Sequence, residues 1–391
     1  MVVTVTSNEG VAVVTVDNPP VNATSQTVRQ GLLDAHRQIE ADNAIKAAVL
    51  ICAGPTFIAG ADIKEFGARP IAPHLPDLVT ELESGTKPWV AAIHGTALGG
   101  GLEVALGCSY RIATATAKMG LPEVTLGLIP GAGGTVRLTR LIGAEPALDM
   151  MASGKPISAD RAQQLGLIDE ISDRDLLDDA IAFANRIAGQ PRPTPILTRT
   201  SAHDPDALDT KISTIAAKAR GQKSPNAVCQ AVRNAIELPA QDALAAERDL
   251  FLSLKSDPQS QALRHIFFAE RATTKIDMIK DVTARPITQV GVIGGGTMGA
   301  GIAAACLLAG LDVVMIERDD AALENGMARC TDILASSLKR ALVSQIKHDE
   351  MVIAFSGASE YAALAQADIV IEAVFEDMGA KKSVFLSLIH I

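Results

Sequence analysis

Short β-branched runs alternate with stretches of helical period through the first 190 or so residues. The opening MVVTVTSNEGVAVVTVDNPP alternates apolar and polar positions, the period of a strand, and ends in a Pro turn. VAVVTV (11–16), AAVLICA (47–53) and VAAIHG (90–95) predict strands, while TVRQGLLDAHRQIEAD (27–42) and GLEVALGCSYRIA (101–113) predict helices. Alternation of this kind implies an α/β layered fold. Gly/Pro-rich turns punctuate it at AGPTFIAGAD, ALGGG and GLIPGAGGT. At PRPTP (191–195) the texture changes, and the chain from there to about residue 280 is helical and charged, with no strand run. TARPITQ (283–289) marks a second boundary. Beyond it lie a strand (Gln289–Ile293), a glycine turn, an apolar helix (Met298–Ala309) and a second strand, LDVVMIE. The pattern predicts a core over 1–190, a helical linker over 191–285 that completes it, and another α/β unit over 286–385. Strand candidates in that unit fall around 290, 312, 352 and 369, fewer than the roughly six of a complete doubly wound sheet.

Composition narrows the function classes. The chain has 391 residues and a formal net charge of −10, which argues against nucleic acid or an anionic membrane as the main partner. Five cysteines are scattered without a CxxC, and the seven histidines form no HExxH. We therefore expect no disulfide framework, no metal and a reducing compartment. The N-terminus lacks the basic and apolar regions of a signal peptide, and no apolar run is long enough to span a bilayer. The Ala-rich, Trp-poor composition points to a bacterial cytoplasm.

Three stretches of the core carry candidate chemistry. They are ADIK (61–64) after Gly60, HGTALGGGLEVALG (94–107) and MGLPEVTLGLIPGAGGTVRLTR (119–140). Singly each is bland, since a glycine triplet serves close packing and a helical glutamate is usually solvated. Together, unhindered N–H groups at glycine turns, one of them at a helix N-terminus, can hold an oxygen that becomes negative. Glu103 stands among Leu102, Val104, Ala105 and Leu106, so burial should raise its pKa. With Glu123 it can handle one water, one carboxyl donating a proton and the other accepting one.

A second constellation lies in QVGVIGGGTMGAG, where Gly294, Gly296 and Gly299 fit G-x-G-x-x-G between a strand and a helix. Thr297 and Met298 open that helix and complete the candidate cofactor set. Glu317, about twenty residues beyond the turn, fits a ribose-hydroxyl contact and favours NAD over NADP. ADIVIEAVFEDMGAKK (367–382) supplies a further buried strand and the loop at its carboxyl end.

On these motifs, residues 1 to about 280 resemble the enoyl-CoA hydratase (crotonase) superfamily, through IAGADIKEF, ALGGGLEVALGC and GLPEVTLGLIPGAGGTVRLTRLIG. The resemblance implies a ββα spiral fold and a CoA thioester substrate. It implies Glu103 and Glu123 as the catalytic pair and an oxyanion hole at the Ala61 and Gly100 amides, with Gly101 adjacent. The implied reaction is syn addition of water to a trans-2-enoyl-CoA, Glu123 supplying the C2 proton and Glu103 assisting the hydroxyl. A Δ3,Δ2-isomerase reaction, thioester hydrolysis and a non-catalytic NAD-binding or assembly role stay open beside it. Lys64 can face either a CoA phosphate or solvent.

The later stretch resembles the NAD-binding half of 3-hydroxyacyl-CoA dehydrogenases, in which Glu376 and Lys381 match cofactor contacts. The order of parts is that of the multifunctional β-oxidation enzymes of the peroxisomal bifunctional type. Monomers are expected for that type, the linker helices covering their own core, with a peroxisomal location if the source is eukaryotic. The catalytic histidine that such a dehydrogenase pairs with a glutamate has no counterpart here, and His390 is not it. The closing LSLIHI departs from the family pattern, so 386–391 is expected to be a non-native tail; a natural frame that continues past Phe385 and a genuine early stop or frameshift both stay open.

Overall fold

The computed structural model describes residues 2–62, 65, 71–273, 276–389 and 391. Lys64 and His390 lie outside the described residues. The alternating N-terminus folds as a hairpin: β1 (Val3–Asn8) pairs antiparallel with β2 (Val11–Val16), Val3 opposite Val16. Helix α1 (Gln26–Ala41) begins at Ser25, whose hydroxyl accepts the Val28 N–H, a standard N-cap. The chain then builds β3 (Ala47–Cys52), α2 (Leu75–Ser84), β4 (Trp89–Ile93), β5 (Thr96–Leu98), α3 (Gly100–Gly107), β6 (Tyr110–Thr114) and β7 (Lys118–Gly120). Next come α4 (Gly134–Ile142), α5 (Ala144–Ser153), β8 (Ile157–Ser158), α6 (Ala159–Gln164), β9 (Glu170–Ser172) and α7 (Leu176–Ile187).

One sheet runs β1-β2-β3-β4-β6-β9, parallel throughout beyond the hairpin, and a smaller one runs β5-β7-β8. Both faces of the larger sheet are covered, so its strands are apolar at successive positions. Val49, Val90 and Ile112 pack on Phe183 and Ala184 of α7, while Leu50 and Ala91 face the main core. The predicted single helix over 101–113 divides in the structure. Cys108 is extended, and Tyr110–Thr114 enter the sheet with Tyr110 opposite Val90. A short apolar run satisfies either period, and here sheet pairing decides.

The expected linker is helical, as α8 (Pro205–Lys218), α9 (Ser224–Glu237), α10 (Ala240–Ser256) and α11 (Pro258–Thr273). These helices belong to the first compact unit, Met1–Ile276. Val228, Cys229 and Val232 of α9 join the main core. The Ser260 hydroxyl of α11 donates to Leu126 O at 2.8 Å. Arg137 of α4, fully buried, pairs with Glu83 at 2.9 Å, and the other Glu83 oxygen accepts the Leu197 N–H at 3.0 Å.

The second unit, Asp277–Ile391, holds β10 (Gln289–Ile293), α12 (Thr297–Leu308), β11 (Asp312–Ile316), α13 (Asp320–Lys339), α14 (Gln345–Ile353), β12 (Phe355–Ala358), β13 (Ile369–Glu372) and α15 (Met378–Leu388). Its sheet is all-parallel, in the order β12-β11-β10-β13. The strand expected near 352 lies a few residues later. Ser344 accepts the Lys347 N–H and starts a helix that occupies the expected position. Among the described residues, no helix is long and apolar enough to cross a membrane.

Removing one partner of a buried ion pair strands the other charge. Arg137→Met should therefore destabilise the first unit by about 3–5 kcal/mol in urea titration. Arg137→Met combined with Glu83→Gln, which keeps an acceptor for Leu197, should recover most of it. A single-variant loss under about 1 kcal/mol, the range of an exposed pair, would contradict the buried pairing.

Candidate active site

The glycine turn before α3 is shaped by close approaches. Gly99 has φ 52°, and a Cβ there would come within 2.9 Å of Glu123 Oε1. A Cβ on Gly101 would lie 2.0 Å from the Ile58 carbonyl oxygen. One on Gly100 would stand 3.4 Å from the Ala61 nitrogen. The loop carrying Ala61 is pinned by Thr24 N–H donating to Gly60 O (3.0 Å) and Leu98 N–H donating to Ile58 O (3.0 Å). Gly100 and Gly101 open α3, so their N–H groups have no carbonyl partner within the helix. Ala61 and Gly100, expected together from the sequence, are thus adjacent, with Gly101 packed behind them against Ile58.

Both expected glutamates line one cavity of about 440 Å³, together with Gly60, Ala61, Gly99 and Gly100. Glu103, in the first turn of α3, is 3% exposed. Its Oε1 accepts the Ala132 N–H at 2.7 Å and the Gly134 N–H at 2.9 Å. Glu123, half-buried, follows Pro122 at the start of a short 3-10 turn, and its buried Oε2 has no hydrogen-bond partner. Burial raises the Glu103 carboxyl to about 7, helped by the negative charge of Glu247 and opposed by the two amides. Burial, with repulsion from Glu103 next, pushes Glu123 well above the ordinary carboxylate range.

The sequence reading missed Glu247. It sits on α10, 2% exposed, and accepts the Gly133 N–H (2.6 Å), the Thr135 N–H (2.8 Å) and the Thr135 hydroxyl (2.5 Å). One signal was present: Glu247 falls on the stripe of Ala243 and Leu254, where a helix buries its face. Arg248, Lys255 and Arg271, from α10 and α11, also line the cavity. Nothing in a charged helical segment marked them beforehand.

In the second unit the glycine turn links β10 to α12 and sits beside the end of β11. Gly294 has φ 100°, and a Cβ on Gly299 would lie 1.7 Å from the Gly294 carbonyl oxygen, so helix and turn are in backbone contact. A Cβ on Gly296 would meet nothing within 4 Å, which leaves the helix N-terminus open to a ligand. Thr297 is the first residue of α12, and the Met298 side chain is exposed beside it. The Glu317 carboxylate accepts the Gly295 N–H at 2.7 Å, placing it over the turn. Lys381 bridges Glu376 (3.0 Å) and Glu372 (3.3 Å), the latter unmarked by the sequence reading. An open N-terminus, a close helix–strand crossing and an acidic group at the end of the second strand fit a dinucleotide. Among the described residues no cluster could hold a metal ion.

Residues 6–237 match the enoyl-CoA hydratase/isomerase family, and residues 289–391 match the NAD-binding domain of 3-hydroxyacyl-CoA dehydrogenase. The chain is 40% identical over 393 aligned positions to the peroxisomal bifunctional enzyme of Cavia porcellus, covering 96% of this chain and 53% of that protein. It is 37% identical to the glyoxysomal fatty acid β-oxidation multifunctional protein of Cucumis sativus, covering 97% of this chain and 55% of that one. The chain thus spans about half the length of the curated relatives it matches. Among solved structures, carnitinyl-CoA hydratase from Mycobacterium avium aligns with a TM-score of 0.52 and 28% identity, over 69% of this chain and 96% of that one. The crotonase fold, the order of the two domains and these likenesses agree: the chain belongs to the enoyl-CoA hydratase/isomerase family and carries a 3-hydroxyacyl-CoA dehydrogenase NAD-binding domain behind it.

Proposed function

We propose that the first unit hydrates trans-2-enoyl-CoA to 3-hydroxyacyl-CoA, as a step of fatty-acid β-oxidation. The observation that carries this reading is the pair Glu103 and Glu123 in one cavity with the Ala61 and Gly100 backbone. The thioester carbonyl sits between those two amides, each such donor stabilising the enolate by roughly 3–4 kcal/mol. The two carboxyls share one proton at neutral pH, because burial and mutual repulsion oppose a second charge. Glu123, whose Oε2 lacks a donor, keeps it; Glu103, held by two amides, ionises first. Glu103 then takes a proton from water as its oxygen bonds to C3, and Glu123 gives its proton to C2. The pair ends with its single proton moved from one carboxyl to the other. Arg248, Lys255 and Arg271 suit the phosphates of CoA. The same pair can move a proton between C2 and C4, so product analysis with a 3-enoyl-CoA separates hydration from isomerisation.

For the second unit we propose NAD binding, with the pyrophosphate over Gly294, Gly296, Thr297 and Met298, backed by Gly299, and the ribose at Glu317. Glu376 and Lys381 lie toward the nicotinamide end. Bound NAD would supply the hydride acceptor for oxidising the 3-hydroxyacyl product, the companion activity its relatives' bifunctional name supports. Helices α9 and α10 pack on their own core and Ser260 ties α11 to Leu126, which favours a monomer, and all five cysteines are free, which suits a reducing compartment.

Loss of enoyl thioester absorbance measures the first proposal. Glu103→Gln and Glu123→Gln should each slow hydration by roughly 10²–10⁴-fold; unchanged rates in either variant would overturn it.

The raised carboxyls also bear on stability. Glu103 folds with its pKa lifted from 4.5 to about 7. Its stabilising contribution is therefore whole below the unfolded value and lost as pH rises through the folded one. Glu103→Gln keeps an oxygen for both amides and removes the charge. Its melting temperature relative to the parent should thus be several degrees higher near pH ~8 than near pH ~5. An equal difference at both pH values would contradict the lifted carboxyl.

A further inference from the structure

The turn Ala132–Thr135 offers four consecutive backbone N–H groups, and two buried glutamates divide them. Glu103 takes Ala132 and Gly134; Glu247 takes Gly133 and Thr135, and adds the Thr135 hydroxyl. The four N–H groups thus alternate along the chain between the two carboxylates, and a shift of either one disturbs the turn that holds the other. Glu247 arrives from α10, more than a hundred residues further along the chain, and is almost wholly buried. A carboxylate is tolerated there because three charge-assisted hydrogen bonds offset its burial, and the same three bonds tie α10 to the turn.

We propose that Glu247 is a positioning residue for Glu103: it clamps the 132–135 turn from behind and so aims the Ala132 and Gly134 amides at the Glu103 carboxylate. This rests on the hydratase reading for its consequence in turnover, although the clamp itself does not. The charged groups around the turn are few. Glu103 comes from α3, Glu123 from the 3-10 turn, Arg137 from α4 with its partner Glu83 from α2, and Arg248 beside Glu247 on α10. Glu247 opposes ionisation of Glu103, and Arg137 favours it. Replacing Glu247 with glutamine removes the opposing charge and sets an amide NH₂ against donors that need an acceptor.

The test uses the whole chain with Glu247→Gln, Glu247→Asp and Thr135→Val. Glu247→Gln should lower kcat roughly ten- to hundredfold with KM little changed, as expected of a misplaced reacting group. The acidic limb of its kcat profile should move to lower pH, since Glu103 ionises more easily without a neighbouring negative charge. Thr135→Val keeps the Glu247 charge and loosens only the clamp, so its limb should move the other way, to higher pH, as the Ala132 and Gly134 amides tilt off Glu103. Glu247→Asp should return the limb of Glu247→Gln toward the parent. The Glu103 carboxyl titration, followed by infrared difference spectroscopy and assigned by its loss in Glu103→Gln, should shift with the limb. If Glu247→Gln folds with kcat, limb and Glu103 titration all unchanged, or merely melts lower, the proposal is overturned. If Glu247→Gln does not fold, an unmoved limb and titration in Thr135→Val overturn it in the same way. A Glu103 titration that rises in Thr135→Val, in a chain that turns over no enoyl-CoA, upholds the clamp and defeats the hydratase reading instead.

Discussion

Three glutamates, Glu103, Glu123 and Glu247, stand in an interior that offers only a few donors to share among them, and the rest of the first unit is arranged around that scarcity. A buried carboxylate must be hydrogen-bonded, paired or protonated. Glu247 is satisfied three times over and Glu103 twice, while the Oε2 of Glu123 is left with nothing. The gradient ranks their appetite for a proton. Two carboxyls of unlike environment beside each other are the arrangement by which one acts as acid and its neighbour as base.

The glycines answer to the same constraint. Donors can reach a carboxylate or a thioester oxygen only where no Cβ stands between, and Gly99 and Gly134 are each placed so that a Cβ would touch a glutamate oxygen. Gly101 does the complementary task of letting α3 press on the Ile58 carbonyl, which holds the helix N-terminus against the Ala61 loop. The second unit uses glycine in a similar way: Gly299 lets α12 meet Gly294, and Gly296 leaves the helix start bare, as an anion at a helix N-terminus would need.

Much of this was legible in the sequence because it is local. The Gly-rich turns, the two glutamates beside them and the strand–turn–helix of the second unit each lie within about twenty residues, where spacing alone speaks. The features that were not legible depend on distant partners. Residues 110–113 read as helix because so short a run cannot reveal its period, and only pairing with Trp89–Ile93 made Tyr110–Thr114 a strand. Glu247 went unmarked because its partners, Gly133 and Thr135, are more than a hundred positions away. The cations of α10 and α11 were hidden for the same reason. The segment expected as a linker completing the core supplies a wall of the cavity and the carboxylate that holds the 132–135 turn.

In the proposed hydration Glu103 and Glu123 act from one side of the substrate, the first on water and the second on C2. The most direct measurement is hydration of a trans-2-enoyl-CoA in deuterium oxide, with the product's configuration read at C2 and C3. Deuterium is expected at C2 on the same face as the new hydroxyl. Deuterium on the opposite face, or equally on both, would contradict it.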